Sequence, residues 1–320
     1  MPFVRVKDGR IHSAKIEYNL AEHCNFSCDE CSHLSPYMPV RYSSLETFRT
    51  DLAALAQAYH VGRFRFVGGE PFLHKELLSH IRAVQESGIA DKIQICSNGS
   101  LIQKVDPQVF ASIDMLSISW YPDARMDQEK IDYAKKMAEE HKFELKIEKI
   151  DRFRAMQLDE PIRDRETLQQ VYDTCQIAHA WYCQTFYEGQ FYLCSRPLFT
   201  NAYLAQKGVR APDYRRTDGV PIHAPDLLGR LQTYLASPTP IASCDYCLGT
   251  VGKYVPWRQL DLSERRTTQQ IPRRVEEAVD RPRLAYLNTF VRVEKRVLKR
   301  VPSLRLSRAL NLLKNGVIQD

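Results

Sequence analysis

Three thiols fall within eight residues near the N-terminus, in the run Cys24-Asn25-Phe26-Ser27-Cys28-Asp29-Glu30-Cys31, spaced Cys-x-x-x-Cys-x-x-Cys. Thiolate groups this close hold zinc or an iron–sulfur centre, so whatever fold the chain adopts must deliver this loop to a metal site. Two readings are open at this point. A zinc ribbon or finger pairs its cysteines and closes with a fourth Cys or His, and the nearest such residue is His33. A [4Fe–4S] cube held by three cysteines instead keeps one iron free for a substrate or cofactor.

Downstream, strand and helix periods alternate. Residues 15–20 alternate like a short strand running into Cys24. Ser43-Ser44-Leu45-Glu46 is a capping-box signal opening a helix that buries Leu45, Phe48, Leu52, Leu55 and Tyr59. Residues 63–67 predict a strand ending in Gly68-Gly69-Glu70-Pro71, and a helix with Leu77, Leu78, Ile81 and Val84 on one face follows. Residues 92–96 predict a strand ending in Ser97-Asn98-Gly99. Further strands are expected over 115–120 and 143–150, separated by a charged helix near 126–141. Five βα units in succession predict an α/β fold with a parallel sheet and helices outside it. Cys96, in an apolar strand, reads as a small buried hydrophobe.

With Gly68-Gly69-Glu70-Pro71 one βα unit after the cysteine loop, the chain resembles the radical SAM superfamily over about residues 12–250. The resemblance implies a partial (βα)6 barrel, with a sixth unit near 153–172. It implies that Cys24, Cys28 and Cys31 hold a [4Fe–4S] cluster whose fourth iron binds S-adenosylmethionine (SAM), while Gly68, Gly69, Glu70 and Pro71 bind the amino group of its methionine. Ser97 and Asn98 carry over as cofactor contacts. Ser117 and Ser119, alternating onto one face, carry over as contacts to the ribose, with ordinary polar strand-end residues as the competing reading. The implied chemistry is reductive cleavage of SAM to a 5′-deoxyadenosyl radical that removes hydrogen from an unactivated C–H bond, fed by a donor such as flavodoxin or ferredoxin. One position departs from the pattern. The residue before the third cysteine is usually aromatic and lies beside the adenine; here it is Glu30, leaving Phe26, His33 or Trp120 for that contact.

Five more cysteines follow. Cys175-x13-Gly189-x4-Cys194 and then Cys244-x-x-Cys247 resemble the twitch domain, a shortened SPASM auxiliary-cluster domain. The resemblance implies one auxiliary [4Fe–4S] cluster on Cys175, Cys194, Cys244 and Cys247; a zinc knuckle at Cys244 and Cys247 is the alternative. Residues 185–192 read as a hairpin with Glu188-Gly189 at a two-residue turn. Extended outward, its register would set Cys183 opposite Cys194. Cys183 then has three roles open to it: a ligand in place of Cys175, a packed thiol, or a hydrogen-atom donor in the active site. Arg152 and Arg154, after the fifth strand, are substrate-binding candidates, against a solvated loop.

Charge is uneven along the chain. Residues 258–320 hold 15 Lys and Arg against 7 Asp and Glu, whereas the rest holds 30 against 32. Tyr286, Leu287, Phe290, Val293, Val297 and Val301 recur by threes and fours among Arg292, Lys295, Arg296, Lys299, Arg300, Arg305 and Arg308, with Pro302 interrupting. Such a basic amphipathic stretch suits an anionic membrane surface, or docking on the protein's own body or a partner. Nothing accompanies the charge to suggest nucleic-acid binding. The expected division is a barrel core over 1–160, an auxiliary-cluster domain over 161–255 and the tail over 256–320. With no apolar leader and nine cysteines in 320 residues, a reducing cytoplasm is expected, peripheral to a membrane if the tail binds one. A small sugar-like substrate, dehydrogenated or epimerised, is the favoured expectation; peptide modification and a non-catalytic metal scaffold are the alternatives.

Overall fold

A computed structural model describes residues 5–123, 125–261, 263–264 and 273–300. The chain opens with β1 (Arg5–Lys7) and β2 (Arg10–Ser13), which with β4 (Tyr59–Val61) make a small three-stranded sheet. The main sheet has eight strands. Its centre is β3 (Ile16–Ala21), β5 (Phe64–Gly68), β6 (Ile93–Ser97), β7 (Met115–Trp120) and β8 (Glu144–Lys149), all parallel and in chain order. Helices α1 (Leu45–Ala56), α2 (Leu77–Ser87), α3 (Pro107–Phe110) and α4 (Gln128–His141) occupy the crossovers. This is the parallel α/β sheet that the alternation predicts, and the partial barrel that the family resemblance implies.

Strand parity explains the layering. Outward positions Phe64, Phe66, Ile95, Leu116 and Ile118 are almost wholly buried under the helices. Phe48 of α1 packs there against Tyr18 (ring centroids 4.4 Å apart), Phe64 and Phe66. Inward positions are polar or charged: Glu17, Arg65, Gln94, Ser117 and Ser119. Period-two alternation thus gives the sheet one apolar face for the helices and one polar face for a chamber.

Three local expectations are corrected. Ser44, not Ser43, caps α1, accepting from the Thr47 N–H (3.3 Å), because Ser43 is drawn inward to His80. Tyr59 lies in β4 rather than on α1. Residues 153–172 form no barrel strand: the short β9 (Arg152–Arg154) pairs with β13 (Tyr254–Pro256), and α5 (Arg165–Asp173) follows. The sixth parallel strand is β10 (Thr185–Tyr187), added beside β3 at the opposite edge, with β11 (Gln190–Tyr192) and β12 (Val220–Pro221) beyond it.

The β10–β11 hairpin has the expected register, Tyr187 against Gln190 and Thr185 against Tyr192. Glu188 (φ 45°) and Gly189 (φ 78°) both take the left-handed conformation that a tight primed turn requires. Buried Asp51 of α1 accepts the Gly189 N–H (2.7 Å), clamping the turn to the barrel. The helix Arg281–Arg300 docks Leu284, Leu287 and Val291 on the protein; Leu284 and Leu287 join a second core with Leu158, Leu168, Val171 and Val251. The expected stripe is therefore out of phase: Leu287 is buried, while Tyr286 and Val293 are 45% and 47% exposed. Val301, Pro302, Arg305, Arg308 and the side chains of Val297, Lys299 and Arg300 lie outside the described residues. Among the described residues no helix is long and apolar enough to cross a membrane.

Because Phe186 of β10 is fully buried against Tyr18 (4.8 Å) and Phe48, the hairpin belongs to the barrel core. Phe186→Ala is expected to lower the unfolding free energy by about 3–5 kcal/mol in urea titrations, in one transition shared by barrel and hairpin.

Candidate active site

One chamber of about 350 Å³ lies on the polar face of the sheet, lined by the whole first cysteine set and, of the second set, by Cys194 alone. Cys24, Cys28 and Cys31 line one side. Cys183, Cys194 and Arg196 line the far side, and Glu17, Arg65 and Cys96 lie between them. The cysteine loop is held from several directions. The Cys24 sulfur accepts the Phe26 N–H (3.3 Å) and faces the Asn98 amide (3.6 Å), and Asn98 also donates to the Asn25 side chain (2.9 Å). The Cys28 sulfur accepts the Trp257 indole N–H (3.1 Å). Burial first, and then the neighbouring Cys31, push the Cys28 thiol up to about 12. Burial also raises Cys31, but the His33 hydrogen bond and charge outweigh it and the net shift is downward.

Gly68 and Gly69 line the chamber, whereas Glu70 and Pro71 lie behind them. A Cβ at Gly69 would collide with the His23 carbonyl, so this turn can pass the loop only as glycine. Glu70, 0% exposed, is used internally. Its carboxylate accepts the Phe72 N–H (3.0 Å), the Ser97 hydroxyl (2.8 Å) and the Asn98 N–H (2.9 Å), tying the ends of β5 and β6 together. The motif therefore offers backbone to a ligand, and its carboxylate is a brace. Ser97, Asn98 and Ser119 line the chamber. Ser117, one pleat deeper, accepts from the Gln94 amide (2.6 Å) and is not among the lining residues.

Trp120 alternates to the helix side and packs on the core; Tyr121 takes the chamber position, with Phe26 and His33. Arg125 covers the Phe26 ring (3.7 Å). Glu30, in a left-handed conformation (φ 55°), is ion-paired with Arg273, which accounts for a carboxylate where an aromatic was expected. Arg152 and Arg154 do not line the chamber. Alternation along β9 turns Phe153 inward and stacks both guanidiniums on Tyr254 (4.6 and 3.6 Å). Cys96 is no buried hydrophobe: its sulfur accepts from Arg65 (3.0 Å), which also pairs with Glu17 (2.7 Å).

A second, apolar cavity is lined by Cys175, Cys194, Cys244 and Cys247. Gly249 (φ 53°) leaves room there, since a Cβ would sit 2.9 Å from the Cys175 sulfur, and its N–H points at the Cys247 sulfur (3.3 Å). Cys183 is elsewhere. The ladder stops at Thr185 and Tyr192 because the chain bends at 193–195 into the helix Arg196–Gln206, so Cys183 does not oppose Cys194. It lies instead beside Glu17, Arg65 and Lys15, and burial pushes its thiol far up, keeping it protonated. Arg196, 4% exposed, lies between the sets, bonded to the Ser32 carbonyl (2.8 Å) and to Gln157. Strand alternation flags Glu17 and Arg65 from sequence, and Tyr121 as the next position after Ser117 and Ser119; nothing local flags Arg196 or Trp257.

Among the described residues no three His, Cys, Asp or Glu side chains are arranged around a single metal ion. Zinc, at about 2.3 Å from each sulfur, would need that arrangement. Thiols ringing cavities, sulfur-directed N–H groups and glycines where a side chain would intrude fit a bulkier group: a [4Fe–4S] cluster with SAM at the first set, and a second cluster at the other.

The family model for a 4Fe-4S single cluster domain matches residues 18–145. The S-adenosylmethionine-dependent nucleotide dehydratase of Selenomonas ruminantium is 28% identical over 109 residues, 33% of this chain and 38% of that protein. The GTP 3′,8-cyclase of Chlorobaculum tepidum is 32% identical over 98 residues, 30% of this chain and 29% of that one. The chain thus spans less than two fifths of the length of these relatives. The solved structure of BtrN in complex with AdoMet and 2-DOIA overlaps 73% of this chain and 92% of BtrN, at TM-score 0.41 and 15% identity.

Cys175 faces the second cavity and Cys183 the chamber. Anaerobically reconstituted Cys175→Ala is therefore expected to lose about four irons per chain and Cys183→Ala none, by iron assay and absorbance.

Proposed function

We infer that this chain, with a 4Fe–4S single cluster domain over residues 18–145, is a radical SAM enzyme that dehydrogenates or epimerises a small, hydroxylated, sugar-like substrate. The observation that carries this reading is the single chamber onto which Cys24, Cys28, Cys31, Gly68, Gly69, Cys183 and Cys194 all open. When bound, the cluster and SAM supply a carbon-centred radical able to take hydrogen from an unactivated C–H bond. The protein's own residues do the rest.

The chamber falls in the size range of small-molecule sites. The Glu17–Arg65 pair and the Ser119 hydroxyl supply donors and acceptors suited to a polyol. Tyr121, Phe153 and Met156 give the chamber apolar walls that limit water. Cys183, protonated and opening on the chamber, has a hydrogen atom to return to a substrate carbon; its sulfur is then restored by one electron from a flavodoxin- or ferredoxin-type reductant and one proton from solvent. If the substrate instead gives up a second electron toward the Cys175, Cys194, Cys244 and Cys247 site and releases a proton, the product is a carbonyl compound.

The tail helix supports a second surface. Exposed Tyr286 and Val293, with Phe290 packed on Tyr286 (4.8 Å), adjoin Arg292 and Arg296. This amphipathic basic face suits the headgroup layer of an anionic membrane.

Reconstituted protein with SAM and dithionite is expected to form 5′-deoxyadenosine. Turnover of candidate glycosides and nucleotide sugars in D2O separates the outcomes: epimerisation leaves one deuterium, because thiol hydrogens exchange with solvent, and dehydrogenation removes two hydrogens. Cys183→Ala should keep SAM cleavage and lose deuterium incorporation; an epimerising Cys183→Ala enzyme would eliminate the donor role. Failure to form 5′-deoxyadenosine with iron fully loaded would remove the enzymatic reading. The full chain should co-sediment with phosphatidylserine vesicles and not with phosphatidylcholine vesicles, and Tyr286→Ser with Phe290→Ser should weaken that binding about tenfold or more.

A further inference from the structure

The ribbon of β9 and β13 delivers the chain to Trp257, and residues 257–260 then run antiparallel along the cysteine loop. The Asp29 N–H donates to the Arg258 carbonyl (3.0 Å) and the Leu260 N–H to the Ser27 carbonyl (2.8 Å). Gln259 faces Cys28 across an isolated antiparallel bridge, and its side-chain oxygen takes the Ser27 N–H (2.6 Å). Arg258 pairs with Asp29 (3.0 Å), and Arg273 with Glu30 and Asp29. Ser27, Cys28 and Asp29 are thus each held by a segment some 230 positions away in sequence, and Glu30 by Arg273 farther on. The Trp257 ring lies flat on Tyr121 (5.5 Å, 9° between planes), and its Nε1 is 3.1 Å from the Cys28 sulfur.

We propose that residues 257–260 are a built part of the first cysteine site, a strap in which Trp257 is a positioning residue that sets the reduction potential of the cluster. This rests on the radical SAM reading above. An N–H donated to a ligating sulfur stabilises the added negative charge of the reduced state, and hydrogen bonds to sulfur together with solvent exposure are main determinants of cluster potential. Stacking on Tyr121 fixes the direction of the indole, and the Gln259 and Leu260 bonds close the loop against solvent.

The test is a potentiometric titration of the full-length reconstituted protein followed by electron paramagnetic resonance, reading the cluster signal that changes on adding SAM. Trp257→Phe keeps the stacked ring and removes the N–H. Its midpoint is expected to fall by an amount equivalent to about tenfold less reduced cluster at fixed poise, about 59 mV for one electron. Iron content and the other cluster's midpoint should be unchanged. Gln259→Ala, which leaves the indole, should bleach several-fold faster in air. An unchanged Trp257→Phe midpoint at wild-type iron content overturns the role of Trp257, and an unchanged Gln259→Ala bleaching rate overturns the strap. Should Trp257→Phe fail to load iron, Trp257→His decides: a loaded cluster with a midpoint near wild type supports the donor, and an empty site overturns it. A wild-type protein with no SAM-responsive signal defeats this inference and the radical SAM reading together.

Discussion

Glu17 donates its backbone N–H to the Gln184 carbonyl (2.7 Å), and beside that bond the Asn19 amide reaches the Thr185 hydroxyl (3.3 Å). These contacts, between residues far apart in the chain (166 positions for Asn19 and Thr185), make β10 the sixth parallel strand. Without them the first cysteine set would sit on a five-stranded sheet with an open edge, and the hairpin that carries Cys194 would be detached from it. With them, the first set shares its chamber with Cys183 and Cys194, and the buried rings of Phe186 and Phe48 make the join a core contact.

The same geometry imposes an electrostatic requirement. The sheet turns its charged positions inward, where burial without a counter-charge is costly. Glu17 and Arg65 satisfy each other. Glu70 is met by three donors. Arg196 is different: it is almost wholly buried, it is bonded to the neutral Ser32 carbonyl and Gln157 side chain, and it lies between the thiol sets. A guanidinium there suits a site that becomes anionic when its thiols ionise around clusters.

How much was legible in the sequence follows from distance along the chain. Features set by neighbours three or four residues apart were readable: the five βα units, the Glu188-Gly189 turn and its register, and the crowding of three thiols on one loop. Features set by distant partners were not. Arg152 and Arg154 looked available until β13 supplied Tyr254 for them to stack on. Glu30 was an unexplained departure until Arg273 met it. The tail's apolar residues were visible, but which of them face the protein depended on the helix's rotation against Leu168 and Val171.

By itself, then, the sequence determined the chemistry that enters the site, because ligand type and spacing are local, covalently set properties. Only the tertiary structure decided what that chemistry meets. Tertiary packing placed Cys175, and not Cys183, with the other three thiols. The pairing of β9 with β13 turned Phe153, and not its flanking arginines, to the chamber. The return of the chain after β13 set an indole N–H on the Cys28 sulfur. Each of these is a through-space consequence of burying apolar faces and pairing backbone groups across more than a hundred residues, which no local pattern encodes.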